Sequence, residues 1–307
     1  MDPFIKEKQY PVLRTQTFYS EEHSKWITIL TKSSQKWVIP LTYTTPPYND
    51  FKKTVPLHYL EEFNRIELSD SEKKWIIFNL QQTGYYRVNY NFDDWIKIEN
   101  YLNSDDNYKE IHVLNRAQII DDAFYFVTSG KLHSSVLWKL TKYLQKDNKY
   151  VAWYPIFKII ERLSFIIPYH SQITYFKETI LELLTALLYK IGYMENDNDD
   201  PHIKCLRQEA AKWACVLGDR ICKKKALFNL KRHLANQTHN KLLPWWKKWT
   251  YCNGLSVSHI PFDNVFNNLD EMLETENPET METLACSNNF SDLFSIFFQL
   301  QMKQTWK

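Results

Sequence analysis

Gln82-Thr83-Gly84-Tyr85-Tyr86-Arg87-Val88-Asn89-Tyr90, followed about two dozen residues later by Asn115-Arg116-Ala117-Gln118-Ile119-Ile120-Asp121-Asp122-Ala123-Phe124, marks the place where the chain changes its hydrophobic period. Up to the first stretch apolar residues alternate. Ile76, Phe78 and Leu80 share one face of a run, and Tyr86, Val88 and Tyr90 share one face of the next. That is the period of a strand with one buried face. In the second stretch Ile119, Ile120, Ala123, Phe124 and Val127 recur at helical spacing up to Gly130, with Asn115 or a near neighbour as N-cap. Strands therefore precede this junction and helices follow it.

Upstream, runs at Pro11–Phe18, Trp26–Thr31, Trp37–Thr45 and Arg65–Leu68 have strand length and are separated by turn-rich pieces such as Pro46-Pro47-Tyr48-Asn49-Asp50. Gln81-Gln82-Thr83-Gly84 reads as a hairpin connection between the last two runs. Six or seven short strands at this spacing predict a small β-sandwich over residues 10–91. Downstream, helical stretches are predicted at roughly 133–145, 150–166, 171–190, 202–217, 220–235, 241–251, 262–274 and 290–302. Pro155 belongs either to a first turn or to a kink. Successive helices joined by short loops suggest an α-solenoid of paired, HEAT- or armadillo-like helices over 92–307. The fold class expected is thus α+β and multidomain.

The 307 residues suffice for about two domains, at roughly 100–200 residues each. Lys+Arg 38 against Asp+Glu 36 indicates no polyanionic partner from bulk charge. Five glycines disfavour phosphate-cradling loops. No apolar run approaches the roughly 20 residues of a membrane helix. The first residues, Met1 to Lys8, contain no apolar signal-peptide core. Cys205, Cys215, Cys222, Cys252 and Cys286 form no Cys-x-x-Cys, which excludes a zinc ribbon and a thioredoxin-type site. Buried thiols and disulfides both remain open on spacing alone.

The nine histidines include no His-Glu pair and no two four residues apart, so the His-Glu-x-x-His zinc helix is missing and no metal or catalytic residue is assigned. No Gly-x-Ser-x-Gly elbow occurs. Cys205 and His202 are three apart on a helix and can meet, though a buried structural thiol beside a surface histidine is the plainer reading. Lys223-Lys224-Lys225, Lys231-Arg232 and Trp245-Trp246-Lys247-Lys248-Trp249 mix cations with aromatics as single-stranded nucleic-acid sites do. A solvated helix face with its tryptophans packed inward explains them as well, and nucleic acid is not expected as a partner. Asp121 and Asp122, adjacent on a helix, diverge too far for shared acid–base work and read as partners of an arginine.

Taken together, the two junction segments resemble those between the third and fourth domains of zinc aminopeptidases of the aminopeptidase N type, a gluzincin family that includes the endoplasmic-reticulum aminopeptidases. Tyr10-Pro11-Val12 is similar to the opening of that family's β-sandwich, with Gln9 where glycine is usual. Trp37-Val38-Ile39-Pro40-Leu41-Thr42-Tyr43 is similar to its W-x-I-P-L-T-Y. Leu206-Arg207, Trp213-Ala214-Cys215, Tyr251-Cys252 with Gly254, and Leu284-Ala285-Cys286-Ser287 match landmarks of its helical domain. Gly192-Tyr193-Met194-Glu195-Asn196 resembles the family's exopeptidase motif but lies inside the helical region with no zinc helix after it, so it reads as a helix-ending glycine and a polar loop.

The resemblance implies the disulfides Cys215–Cys222 and Cys252–Cys286, with Cys205 unpaired. It implies structural roles for Gly84, Tyr85, Tyr86, Arg87, Asn89, Tyr90, Asn115, Arg116, Gln118, Asp121 and Asp122. It also implies a family zinc that is absent from this chain, peptides or a missing catalytic domain as partners, and an extracellular, cell-surface or secretory-lumen location. Sequons at Asn236 and Asn289 fit glycosylation there. Under this resemblance residues 1–9 are the end of a catalytic domain and the helical domain is incomplete. The chain is expected to be the non-catalytic back half of an exopeptidase and inactive alone. The alternative is a catalysis-free peptide- or protein-binding module.

Overall fold

The computed structural model describes residues 10–32, 38–60, 63–68, 75–164, 174–196 and 198–257. The chain divides into two compact units, Met1–Ile173 and Thr174–Lys307.

The first unit opens with strands β1 (Val12–Ser20), β2 (Lys25–Lys32), β3 (Ile39–Leu41), β4 (Tyr43–Thr44), β5 (His58–Leu60), β6 (Phe63–Leu68), β7 (Ile77–Phe78) and β8 (Arg87–Asn89). They form a four-stranded sheet in the order β6-β2-β1-β8 and two-stranded sheets β3-β5 and β4-β7. β1 and β2 pair antiparallel from Leu13↔Lys32 to Ser20↔Lys25. β8 lies parallel to β1, with Val12 opposite Arg87 and Leu13 opposite Val88.

That pairing corrects the hairpin expected across Gln81–Gly84. β7 pairs with β4 instead, and between β7 and β8 the chain makes a short 3-10 turn, Leu80–Gln82. Asn79, Gln81 and Gln82 all have positive φ there, so the two runs diverge into different sheets. The alternation holds in the second run, where Tyr86, Val88 and Tyr90 are buried, but not in the first, where Trp75 to Leu80 are all buried and Leu80 belongs to the turn.

Helices α1 (Phe92–Asn103), α2 (Val113–Thr128), α3 (Ser134–Thr141) and α4 (Tyr150–Ser164) complete the unit. The N-cap of α2 is His112, whose imidazole accepts from Leu114 N at 3.4 Å, and not Asn115. Pro155 is the sixth residue of α4 and so falls past its first turn. The sheets bury Leu13, Leu30, Ile39, Leu41, Phe78 and Val88, and α1 covers this core with Trp95, Ile98 and Leu102. Thr17 Oγ1 donates to Asp94 Oδ2 at 2.6 Å, tying β1 to the first turn of α1. α2 and α4 pack together through apolar stripes that include Ile120, Ala123, Ile156 and Ile160, all buried.

The second unit contains α5 (Thr174–Ile191), α6 (Pro201–Val216), α7 (Arg220–Ala235) and α8 (Pro244–Leu255). α6 packs on α5 and α8 on α7. The α7–α8 crossing is close because Gly254 presents no side chain; a Cβ there would lie 2.8 Å from Leu230 Cδ2. Asp200 and Asp219 cap α6 and α7. The stretches 262–274 and 290–302, read as helices from sequence, lie outside the described residues.

Candidate functional site

Three places draw together residues singled out above: the strand-to-helix junction, the Gly192–Asn196 loop, and the α6–α7 turn.

At the junction Asn79, φ 58 and nearly fully buried, holds the turn shut. Its Nδ2 donates to Gly84 O at 2.8 Å and Tyr86 O at 3.1 Å, while its Oδ1 accepts from Gly84 N at 2.8 Å. Asn115, from the first turn of α2, accepts from Gln81 N at 2.9 Å and donates to Asn79 O at 2.9 Å and Gln118 Oε1 at 3.2 Å. Gly84 must be glycine here, because a Cβ would sit 2.3 Å from Tyr86 Cε1. Tyr86 is buried, and Tyr85 is exposed with its ring 5.3 Å from that of Tyr10. Tyr90 OH accepts from Phe78 N at 3.1 Å, and Asn89 pairs in register with Arg14.

Arg87 leaves β8 toward α2. Its Nη1 donates to Asp121 Oδ2 at 2.6 Å and Asp122 Oδ1 at 2.8 Å, and its guanidinium lies 4.7 Å from the Tyr125 ring and 5.1 Å from that of Tyr10. Val88 N donates to Asp122 Oδ2 at 3.0 Å, and Gln118 Nε2 reaches the same oxygen at 3.4 Å. Burial pushes the Asp122 carboxyl up to about 7, and the opposing pull of Arg87 and the Val88 N–H offsets only part of this. The arrangement is a clasp between strand and helix, beside a cavity of about 330 Å³. It offers no nucleophile–base pair, since one guanidinium engages both carboxylates.

Arg116 does separate work. It is buried, donates from Nε to Asp147 Oδ2 at 3.0 Å, and from Nη1 to Tyr108 O at 3.0 Å and to Ile111 O. It thereby ties α2 to the chain on both sides of it.

In the second unit Gly192, φ 71, ends α5 as its sequence suggests. Glu195 is then held in place. Its Oε2 accepts from the indole N–H groups of Trp245 at 3.0 Å and Trp246 at 2.9 Å, and its Oε1 lies 3.5 Å from Lys204 Nζ. Burial would raise this carboxyl, but the two indoles and Lys204 outweigh it and hold it below the usual range. Trp246 and Trp249 are buried, whereas Trp245 is half exposed, so the tryptophans of the basic run pack inward only in part. Beside the loop, α5 and α7 line a cavity of about 710 Å³. Its floor includes Leu188, Ile191, Ile221 and Phe228.

Cys215 and Cys222 form a disulfide across the Gly218 turn. Cys205 is unpaired, as expected, but exposed, which corrects the buried structural thiol read from the sequence. Cys252, on α8, is disulfide-bonded, while Cys286, its expected partner, lies outside the described residues, as does Asn289; Asn236 is the exposed C-cap of α7. Among the described residues no three His, Cys, Asp or Glu side chains come together as metal ligands, so none of them fits a zinc. No helix among the described residues is long and apolar enough to cross a membrane.

Sequence reading passed over Asn79 and Thr42, which accepts from Leu80 N at 2.9 Å. It also missed the partner that Glu195 finds in Trp245-Trp246. Asn before a Gln-Gln-Thr-Gly turn was a usable signal for the first, because Asn tolerates left-handed φ. Nothing local signals the other two, whose partners lie 38 and about 50 residues away.

The family model described as "ERAP1-like C-terminal domain" matches residues 75–294. Aminopeptidase N of Plutella xylostella is 28% identical over 266 residues, covering 83% of this chain and 28% of that protein. Thyrotropin-releasing hormone-degrading ectoenzyme of Rattus norvegicus is 26% identical over 243 residues, covering 74% and 22%. Aminopeptidase Q of Homo sapiens is 34% identical over 169 residues, covering 51% and 16%. The chain spans about a quarter of the length of the first two. A match over residues 75–294, a span that includes the junction clasp, means that the chain belongs to the aminopeptidase N-type family and carries that family's C-terminal domain.

Proposed function

We propose that this chain forms the spacer and helical chamber wall of an aminopeptidase N-like zinc exopeptidase, binding and enclosing peptides whose N-terminal residue is cut elsewhere. The observation that carries the reading is a C-terminal-domain match over 75–294 in a sequence with no His-Glu-x-x-His. The zinc, its base and the group that grips the substrate amine come from residues this sequence does not contain. In this reading residues 10–91 are a β-sandwich spacer, and 92–307 are a solenoid whose concave side presents side chains to an extended peptide. The Cys215–Cys222 disulfide supports a secretory or extracellular setting, since such bonds persist in oxidising compartments. The relatives named "ectoenzyme" and "membrane alanyl aminopeptidase" agree with that setting.

An immunoblot of source tissue with antiserum against the chain tests this. The expected band runs far above 37.0 kDa and co-purifies with chelator-sensitive aminopeptidase activity. A band at 37.0 kDa without activity overturns the reading and favours a free-standing binding module.

A further inference from the structure

Charge is distributed unevenly along the second unit. From Arg220 to Lys248 the chain carries nine Lys and Arg and no Asp or Glu. Six of the nine cations belong to α7. The inner side of this helix buries Cys222, Ala226, Leu230 and His233, and α8 packs on it. Its outer side combines cations with apolar groups. Ile221 and Phe228, seven residues apart and so nearly in line along the helix, are both more than half exposed. Arg220, Lys224 and Lys231, all exposed, flank this apolar line on one side. Lys225 and Arg232, also exposed, flank it on the other. None of these five cations has an ion-pair partner among the described residues; Arg232 donates to Asn240 Oδ1 at 2.9 Å. Tyr189 and Met194, likewise more than half exposed, continue the apolar surface around the α5–α7 cavity.

The chemistry of this face selects its partner. Apolar side chains held in water gain by burial, which a sulfated polysaccharide does not provide. Cations on both sides of the apolar line call for anions on both sides. Lysine is depleted from protein–protein interfaces, and an acid-free face gives a protein partner no alternating charge to fix its register. An anionic phospholipid surface meets both demands. A helix lying in its plane sinks an apolar line below the headgroups, while Lys and Arg reach up to the phosphates.

We propose that α7 docks the second unit on an anionic phospholipid membrane, with Ile221 and Phe228 entering the headgroup–acyl boundary and the five flanking cations contacting lipid phosphates. Such docking needs no spanning helix.

The test sediments the full 307-residue chain with vesicles of phosphatidylcholine alone, and with vesicles of equal parts phosphatidylcholine and phosphatidylserine. Binding to the mixed vesicles alone is expected, weakened by added salt. Lys224→Ala combined with Lys231→Ala should lower the affinity roughly twentyfold, since each cation at an anionic surface contributes about fivefold. Phe228→Ser, at an exposed position, should lower it severalfold. Equal binding to both vesicles overturns the proposal. Binding to neither overturns it as well and leaves the face to a protein partner. Undiminished binding by Phe228→Ser overturns it in favour of a purely polyanionic ligand. Depth is read with Phe228→Cys in a Cys205→Ser background, which removes the unpaired thiol, labelled with a nitrobenzoxadiazole dye. Its emission should shift to the blue, and escape quenching by aqueous iodide, only when mixed vesicles are added. A label already shielded in the free chain overturns the proposal, because the chain itself then covers this face.

Discussion

Asn79 combines a left-handed backbone with three hydrogen bonds to the turn it closes. Asn79→Ala removes those bonds inside a buried turn and leaves a β-carbon at positive φ. The expected loss is roughly 3 kcal/mol or more, read as a lower denaturant midpoint. Asp122 makes a prediction in pH. Its carboxyl is raised from 3.8 to about 7, so the folded state binds the proton more tightly than the unfolded one. The stability it contributes is full below its unfolded value and is lost as pH rises through about 7. Asp122→Asn, neutral at every pH, lacks this dependence. Thermal unfolding between pH 4 and 8 should therefore show the wild type losing ground to the variant as pH rises, then levelling. A constant gap between the two melting curves would contradict the assignment.

Among the elements, what was legible was type, and what was not legible was pairing. The period change after Tyr90 placed the boundary between strands and helices, and helix ends followed from Gly130, Gly192 and Asp219. The failed hairpin shows the limit. Gln81 and Gln82 are held at positive φ by Asn79 and by Asn115, which reaches Gln81 from 34 residues downstream. No local pattern encodes that. The clasp behaves likewise: Asp121-Asp122 announced a need for an arginine, and only the parallel placement of β8 supplies Arg87. Two predictions belong to this scale. Gly254→Val should separate α7 from α8 and cost about 1–3 kcal/mol, because the new side chain meets Leu230 and Ala226 O. Replacing Cys215 and Cys222 together by alanine should cost about 2–3 kcal/mol by the loop-closure argument, visible as a lower melting temperature under non-reducing conditions.

For the whole molecule, the expectation is inactivity in isolation. Purified chain should release no product from leucine or alanine 4-nitroanilide, with or without added zinc. Turnover abolished by a chelator would place a catalytic centre in these residues and reverse the division of labour proposed above. The strand-to-helix turn carries one more consequence for handling the molecule. A protease draws its substrate into its cleft as an extended strand, and sites are nicked where backbone can be released cheaply. The backbone from Leu80 to Tyr86 is stitched to Thr42, Asn79 and Asn115, so extending it means dismantling the junction. Trypsin or chymotrypsin at low dose should spare Tyr85 and Arg87 despite the exposure of Tyr85. A digest would then leave this joint inside a single surviving fragment, a natural boundary marker for designing shorter pieces of the protein.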